Sequence, residues 1–247
     1  MTEQLLLQQL ESPSGTGRVE PRSNHQPDSP RQQATGSQQA DPILTGRSGR
    51  LGMSVAGQEC ATYDDPMSGL HYPSPELSDG PTRLRQWSLD DIACIAEAST
   101  DSRIPEATTV PATYSPDGGR AFIERQWSRF DNREGLSLAI SSSVTSAAIG
   151  LIVLTLRPQD GVAGVGYWVV PSQRGQGHAP RAVRLVTQWA LSRAGLSRVE
   201  AWVERDNLAS QHVLASAGYE HEGTLRSFLS FPTRRADAMV FSVVAAP

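Results

Sequence analysis

"WVVPSQRGQGHAPRAV", residues 168–183, decides how the chain is read. An apolar strand, Trp168 to Val170, runs into Gly175 and Gly177, and a helical pattern starts almost at once. Unpartnered N–H groups and the positive end of the helix dipole then share one spot. Glycines let a ligand approach the backbone without side chains in the way, and a phosphate is the natural guest. A plain strand-to-helix turn would leave the same trace in sequence, so the flanking elements have to choose.

Downstream, residues 177–195 read as a helix: Ala179, Val183, Val186 and Ala190 form one face, Arg181, Arg184 and Gln188 another, and Gly195 suits its end. "RVEAWV", 198–203, reads as a strand, and "NLASQHVLASAG", 207–218, as a capped helix. Two strands near 219–229 and 236–245 close the chain. Upstream, 82–87 alternates like a strand. Residues 88–99 are a helix with a capping-box start at Ser88 and Asp91, its face set by Leu89, Ile92 and Ala96. Residues 100–116 hold three prolines and read as a loop, 117–130 as a helix, and 136–140, 147–156 and 164–170 as strands. The order β-α-α-β-β-β-α-β-α-β-β predicts an α/β protein of the α+β kind, a mixed sheet with helices on both faces.

The two ends of the 247-residue chain differ in composition. Residues 1–80 are rich in Gln, Ser, Pro and Gly and carry 5 Arg against 10 acids, and they read as a disordered acidic tail. Residues 81–247 carry 17 Arg, 16 acids and all five Trp, and they read as one folded domain. Every basic residue is arginine, a trait of composition rather than function. A near-neutral domain argues against nucleic-acid binding, and no segment reaches the roughly 20 apolar residues of a membrane helix. The start of the chain lacks an export signal. Cys60 and Cys94 make no disulfide framework, and no metal-ligand spacing occurs. The expectation is a cytoplasmic, metal-free protein.

Two phosphate-binding motifs fail on residues. A P-loop needs a lysine that this chain does not have. A dinucleotide fingerprint needs a third glycine where Pro180 stands, and repeated βαβ halves that are missing, although Glu200 lies roughly 20 residues on.

"RGQGHA", Arg174 to Ala179, resembles the Arg/Gln-x-x-Gly-x-Gly/Ala motif of the GCN5-related N-acetyltransferases (GNAT). "GYWVVPSQRGQG", "RVEAWVERDNLASQHVLASAGYEHEGTLR" and "LRQWSLDDIACIAEAS" resemble further pieces of the ribosomal-protein N-terminal acetyltransferase (RimJ/RimL-like) branch. The resemblance covers about residues 82–245 in the right order. It implies the GNAT fold, a mixed, mostly antiparallel sheet of six to seven strands. It also implies acetyl-CoA as co-substrate. The pyrophosphate would sit on the amides of Arg174, Gly175, Gln176, Gly177, His178 and Ala179. The pantetheine arm would pair with the backbone of Trp168, Val169 and Val170, in a slot where strands 164–170 and 198–203 splay apart. Pro180 departs from the Ser or Thr of many relatives and removes an N–H and a hydroxyl. His178 is expected to be exposed.

The implied chemistry is acetyl transfer to a primary amine by direct attack in a ternary complex. The amine must be neutral, the oxyanion needs a donor around Val169 or Val170, and the leaving thiolate needs a proton. Many acetyltransferases place a Tyr seven residues after the helix Asn; from Asn207 that position is Leu214. The ribosomal branch places Ser three residues after it, here Ser210, the candidate catalytic residue, while Asn207 would cap the helix and touch the cofactor arm. Asn207 is also a good N-cap in any protein, and Ser210 an ordinary first-turn residue. The branch's carboxylate is missing from "RSFLSFP", 226–232, which leaves Glu200, Glu204 and Glu222 as candidate bases. Deprotonating a lysine amine at pH 7 costs roughly 4–5 kcal/mol and an α-amine about 1–1.5, so the absence of a strong base favours a protein N-terminus or a small amine of low pKa. In this family the loop 100–116, with Thr109, Val110, Pro111 and Tyr114, and the helix end at Trp127 border the acceptor pocket. Tyr219, Trp87, Trp127 and Trp189 read as core. Homodimers occur in the family. A non-catalytic acyl-CoA sensor with the acidic tail as its interaction arm is the alternative reading, and Ser210 speaks against it.

Overall fold

The structure is a computed structural model that describes residues 70–246. Its strands are β1 (Leu77–Asp79), β2 (Thr82–Arg85), β3 (Gly135–Ser142), β4 (Ala148–Leu156), β5 (Val162–Val169), β6 (Arg198–Glu204), β7 (Glu220–Ser230) and β8 (Arg235–Val244). Its helices are α1 (Ile92–Ala98), α2 (Arg103–Ala107), α3 (Pro116–Asp131), α4 (His178–Ser192) and α5 (Leu208–Ser216). The strands form one sheet in the order β1-β2-β3-β4-β5-β6-β8-β7. All neighbours are antiparallel except β5 and β6. Residues along β3, β4 and β5 are buried almost without a break. Successive side chains point to opposite faces of a sheet, so both faces of its centre are covered. α1 and α3 pack on β3 and β4, and α4 lies across β1, β2, β5 and β6.

Local chemistry explains where the helices start. Ser88 and Asp91 close a reciprocal capping box, as their spacing predicts. Asp91 also takes both terminal nitrogens of Arg85 at 2.7 Å. Ser115 Oγ accepts from Gly118 N at 3.0 Å, with Pro116 in the first helical turn. Gly195 stands at φ +73° just past α4, and Leu196 N reaches back to the Ala190 carbonyl at 3.1 Å.

Three expectations change. Leu89–Asp91 is a 3-10 turn, which shifts the helical phase, so α1 buries Cys94, Ile95 and Ala98 instead of Leu89, Ile92 and Ala96. Residues 100–116 contain α2, with Pro105 tolerated in so short a helix and Asp101 Oδ1 accepting from Arg103 N and Ile104 N. The sheet has eight strands, because β1 lies in what composition assigns to the tail. Residues 70–80 belong with the fold: Leu70 is buried in the core, Tyr72 meets Phe130 and His71 meets Trp189. The rest of the expected tail, with Cys60, lies outside the described residues.

Candidate functional site

The one parallel pair among the described strands is short. β5 and β6 are in register only at Val162–Arg198, Ala163–Val199 and Gly164–Glu200. Beyond Gly164, the rest of β5 stays paired to β4 while the rest of β6 stays paired to β8. The two strands therefore part toward their C-terminal ends. A cavity of about 630 Å³ opens there, lined by Tyr167, Trp168 and Val169 from β5, by the glycine loop, and by the first turns of α4 and α5.

Backbone direction within the slot follows from hydrogen bonds. Val170 N donates to the Ile149 carbonyl at 2.9 Å, and the Val170 carbonyl accepts from Gln173 N at 3.1 Å. Both groups of Val170 are spent, and the residue does not line the cavity, so its expected pairing with the cofactor arm is not met. Strand alternation then turns the backbone of Val169 away from β4. Its carbonyl accepts from Arg174 Nε at 3.0 Å.

The glycine loop is conformationally specific. Gly175 and Gly177 stand at φ +76° and +75°. A Cβ on Gly175 would meet no protein atom within 4 Å, so the residue leaves open space beside the cavity it lines. Arg181 Nη1 takes the carbonyls of Gln176 at 3.1 Å and Gly177 at 2.9 Å. It binds the carbonyl side of the turn at the start of α4, whose first N–H groups have no intrahelical partner. Arg174, Gly175, Gly177, His178 and Ala179 line the cavity, and Gln176 does not: its side chain turns back to Ser172 and Gln173.

His178 is not exposed as expected but buried, with Nδ1 2.8 Å from Thr82 Oγ1 of β2. Burial, with Arg181 nearby, lowers its basicity below the usual histidine value. The ring anchors the start of α4 to the sheet, a contact between residues 96 apart that no local pattern announces.

Asn207 and Ser210 meet at the start of α5. Asn207 Oδ1 accepts from Ser210 N at 3.1 Å, so Asn207 is the N-cap, and both line the cavity. The Ser210 carbonyl accepts from Tyr167 Oη at 3.2 Å. Leu214 is fully buried. Tyr219 is core, with its hydroxyl 2.6 Å from Thr187 Oγ1.

The three candidate bases are all engaged by arginine. Glu200 pairs with Arg157 at 3.0 Å and Arg198 at 3.3 Å. Glu204 binds both terminal nitrogens of Arg234. Glu222 is held by Arg198 and Ser242, and the Arg198 hydrogen bonds bring its carboxyl down to about 2. None of the three lines the cavity. In fact no Asp or Glu does; its charged and titratable residues are Arg103, Tyr167, Arg174, His178 and His212. Thr109, Val110, Pro111, Tyr114 and Trp127 do not line it either, whereas Arg103 and Ile104 of α2 do. Trp127 Nε1 instead donates to the Trp87 carbonyl at 3.0 Å. Among the described residues, no helix is long and apolar enough to cross a membrane.

Residues 82–220 match the family described as Acetyltransferase (GNAT) domain. The chain belongs to the GNAT acetyltransferase family. By that membership it is an N-acetyltransferase. This acetyltransferase is 26% identical over 162 residues to the uncharacterized N-acetyltransferase YoaA of Bacillus subtilis (strain 168), covering 65% of this chain and 92% of that protein. Its fold is shared with Mycobacterium smegmatis RimJ in complex with CoA-disulfide, at TM-score 0.60 and 21% identity, over 67% of this chain and 83% of that one. It is shared equally with the microcin C7 self-immunity acetyltransferase MccE in complex with acetyl-CoA and AMP, at TM-score 0.60 and 19% identity, over 67% and 93%.

Proposed function

We propose that this acetyltransferase transfers the acetyl group of acetyl-CoA directly to a primary amine, the α-amine of a protein N-terminus or a small-molecule amine, in a ternary complex. The observation that carries the reading is the parting of β5 and β6 beyond Gly164–Glu200, beside a glycine loop whose cavity wall contains no carboxylate. That wall fits an extended, phosphate-bearing thioester. Arg174, Gly175, Gly177, His178 and Ala179 would hold the phosphates, and Trp168, Val169 and Asn207 the arm.

Acetyl-CoA supplies an activated acetyl thioester when bound. Val169 N–H, on the side of the strand turned from β4, donates to the carbonyl oxygen as charge develops there. The amine nitrogen forms its bond to the carbonyl carbon, and the C–S bond breaks. Ser210 hydrogen-bonds the leaving thiolate and relays a proton to it. The proton lost by the amine goes to solvent, because Glu200, Glu204 and Glu222 are each neutralised by an arginine. An acceptor of low amine pKa is therefore favoured over lysine.

The test titrates acetyl-CoA into the full chain by calorimetry, then follows free-thiol release with N-terminal peptides, lysine peptides and small amines. Binding with thiol release on an α-amine or small amine supports the reading. Efficient release on lysine peptides alone would overturn the choice of acceptor.

A further inference from the structure

Arg103 lines the cavity, and its guanidinium has no hydrogen-bond or ion-pair partner among the described residues. It stands two residues from Asp101, which accepts from Arg103 N at 2.8 Å and Ile104 N at 3.1 Å and binds Arg174 Nη1 at 2.7 Å. Burial pushes the Asp101 carboxyl up, but the bonds from Arg103 N, Arg174 and Ile104 N outweigh it and hold the group ionised, below its ordinary range. One carboxylate thus fixes the backbone of Arg103 and the side chain at the head of the glycine loop. Its charge is taken by Arg174, and no carboxylate lines the wall, so among the described residues the positive charge of Arg103 is left uncompensated. Across the same cavity, Pro180 in the first turn of α4 has no N–H and no hydroxyl to offer a phosphate.

We propose that Arg103 binds a phosphate group of the cofactor, supplying from α2 a donor that Pro180 cannot supply from α4. A planar guanidinium suits phosphate oxygens in a way a point charge does not. The inference rests on the reading that this cavity holds acetyl-CoA.

The experiment measures the affinity of the full chain and of Arg103→Gln and Arg103→Lys for acetyl-CoA, and for acetyl-pantetheine, which has the arm but no phosphate. Arg103→Gln raises the Kd for acetyl-CoA about tenfold and flattens its salt dependence, with the acetyl-pantetheine affinity unchanged; Arg103→Lys recovers part of the loss. Acetyl-dephospho-CoA, lacking the 3′-phosphate, reports which phosphate is bound: a loss that disappears with it names the 3′-phosphate, and one that persists names the diphosphate. The side chain is exposed and without a partner, so the melting temperature stays that of the wild type. Equal acetyl-CoA affinities for wild type and Arg103→Gln, or an equal loss with both ligands, overturns the role of Arg103 alone. A wild-type chain that binds no acetyl-CoA overturns the reading of the cavity, and this inference with it.

Discussion

Ser210 and Asn207 share one helical turn but do separable work. Asn207 holds the turn through its own oxygen, and Ser210 contributes a hydroxyl at the cavity wall. Ser210→Ala should lower kcat about a hundredfold, the low end of what a positioned proton donor contributes, with acetyl-CoA affinity little changed; steady-state kinetics beside calorimetry separate the two. The cap pattern leads to Asn207 and the family resemblance to Ser210, and both hold because cap and hydroxyl are local. His178 is the opposite case. Its burial depends on Thr82, which belongs to a strand nearly a hundred residues away, and the glycines around it suggest an open loop. Val170 fails for the same reason: its ties to Ile149 and Gln173 are set by the turn after β5.

At the scale of elements, the closed end of the slot is held by an ion pair. Arg157 follows β4, reaches over β5 to Glu200 on β6, and lies on the Trp202 ring, 3.7 Å from its centre. Both side chains are largely buried, at 7% and 12% exposure. Removing one partner strands a charge, so Arg157→Ala should destabilise by about 3 kcal/mol, and the apolar pair Arg157→Met with Glu200→Leu should recover most of it; urea unfolding of the three proteins checks this. Toward the outer edge, Arg198 of β6 and Glu222 of β7 give a pH signature. The folded Glu222 carboxyl lies near 2 instead of its usual 4.5, so its contribution is present above about pH 4.5 and fades as pH falls toward 2. Glu222→Gln should be less stable than wild type at pH 6 and converge with it near pH 2, by a small margin since the pair is well exposed. The longer helices and inner strands were legible because their periodicity is local and strong. β1 was not, since "LSD" has three residues and no apolar alternation, and α2 was hidden by prolines.

At the scale of the whole molecule, the three candidate carboxylates are already paired with arginine. With Glu200, Glu204 and Glu222 paired and no carboxylate in the cavity, the rate should rise with the deprotonation of the acceptor ammonium itself. For an α-amine acceptor, kcat/KM should climb through about pH 7.7–8.0 and move with the amine pKa across a series of acceptors; a fixed break near pH 6 for every acceptor would point to an enzymic base instead. The fold class could be read from the element order, but the cavity's lining could not. Arg103 enters through a helix that composition conceals.

The three paired positions of β5 and β6, reinforced by Ser197 N and Arg198 N on the Gly161 carbonyl at 2.8 and 3.1 Å, are the only backbone seam among the described residues between two smaller sheets, β1 to β5 and β6 to β8. Mechanically, that pairing is a short spine. Load applied across the sheet would bear on that seam, with α4 packed over both of its strands. A ligand lying between the strands adds rungs beyond the spine, so the slot that weakens the empty protein is also where it gains most strength from being filled.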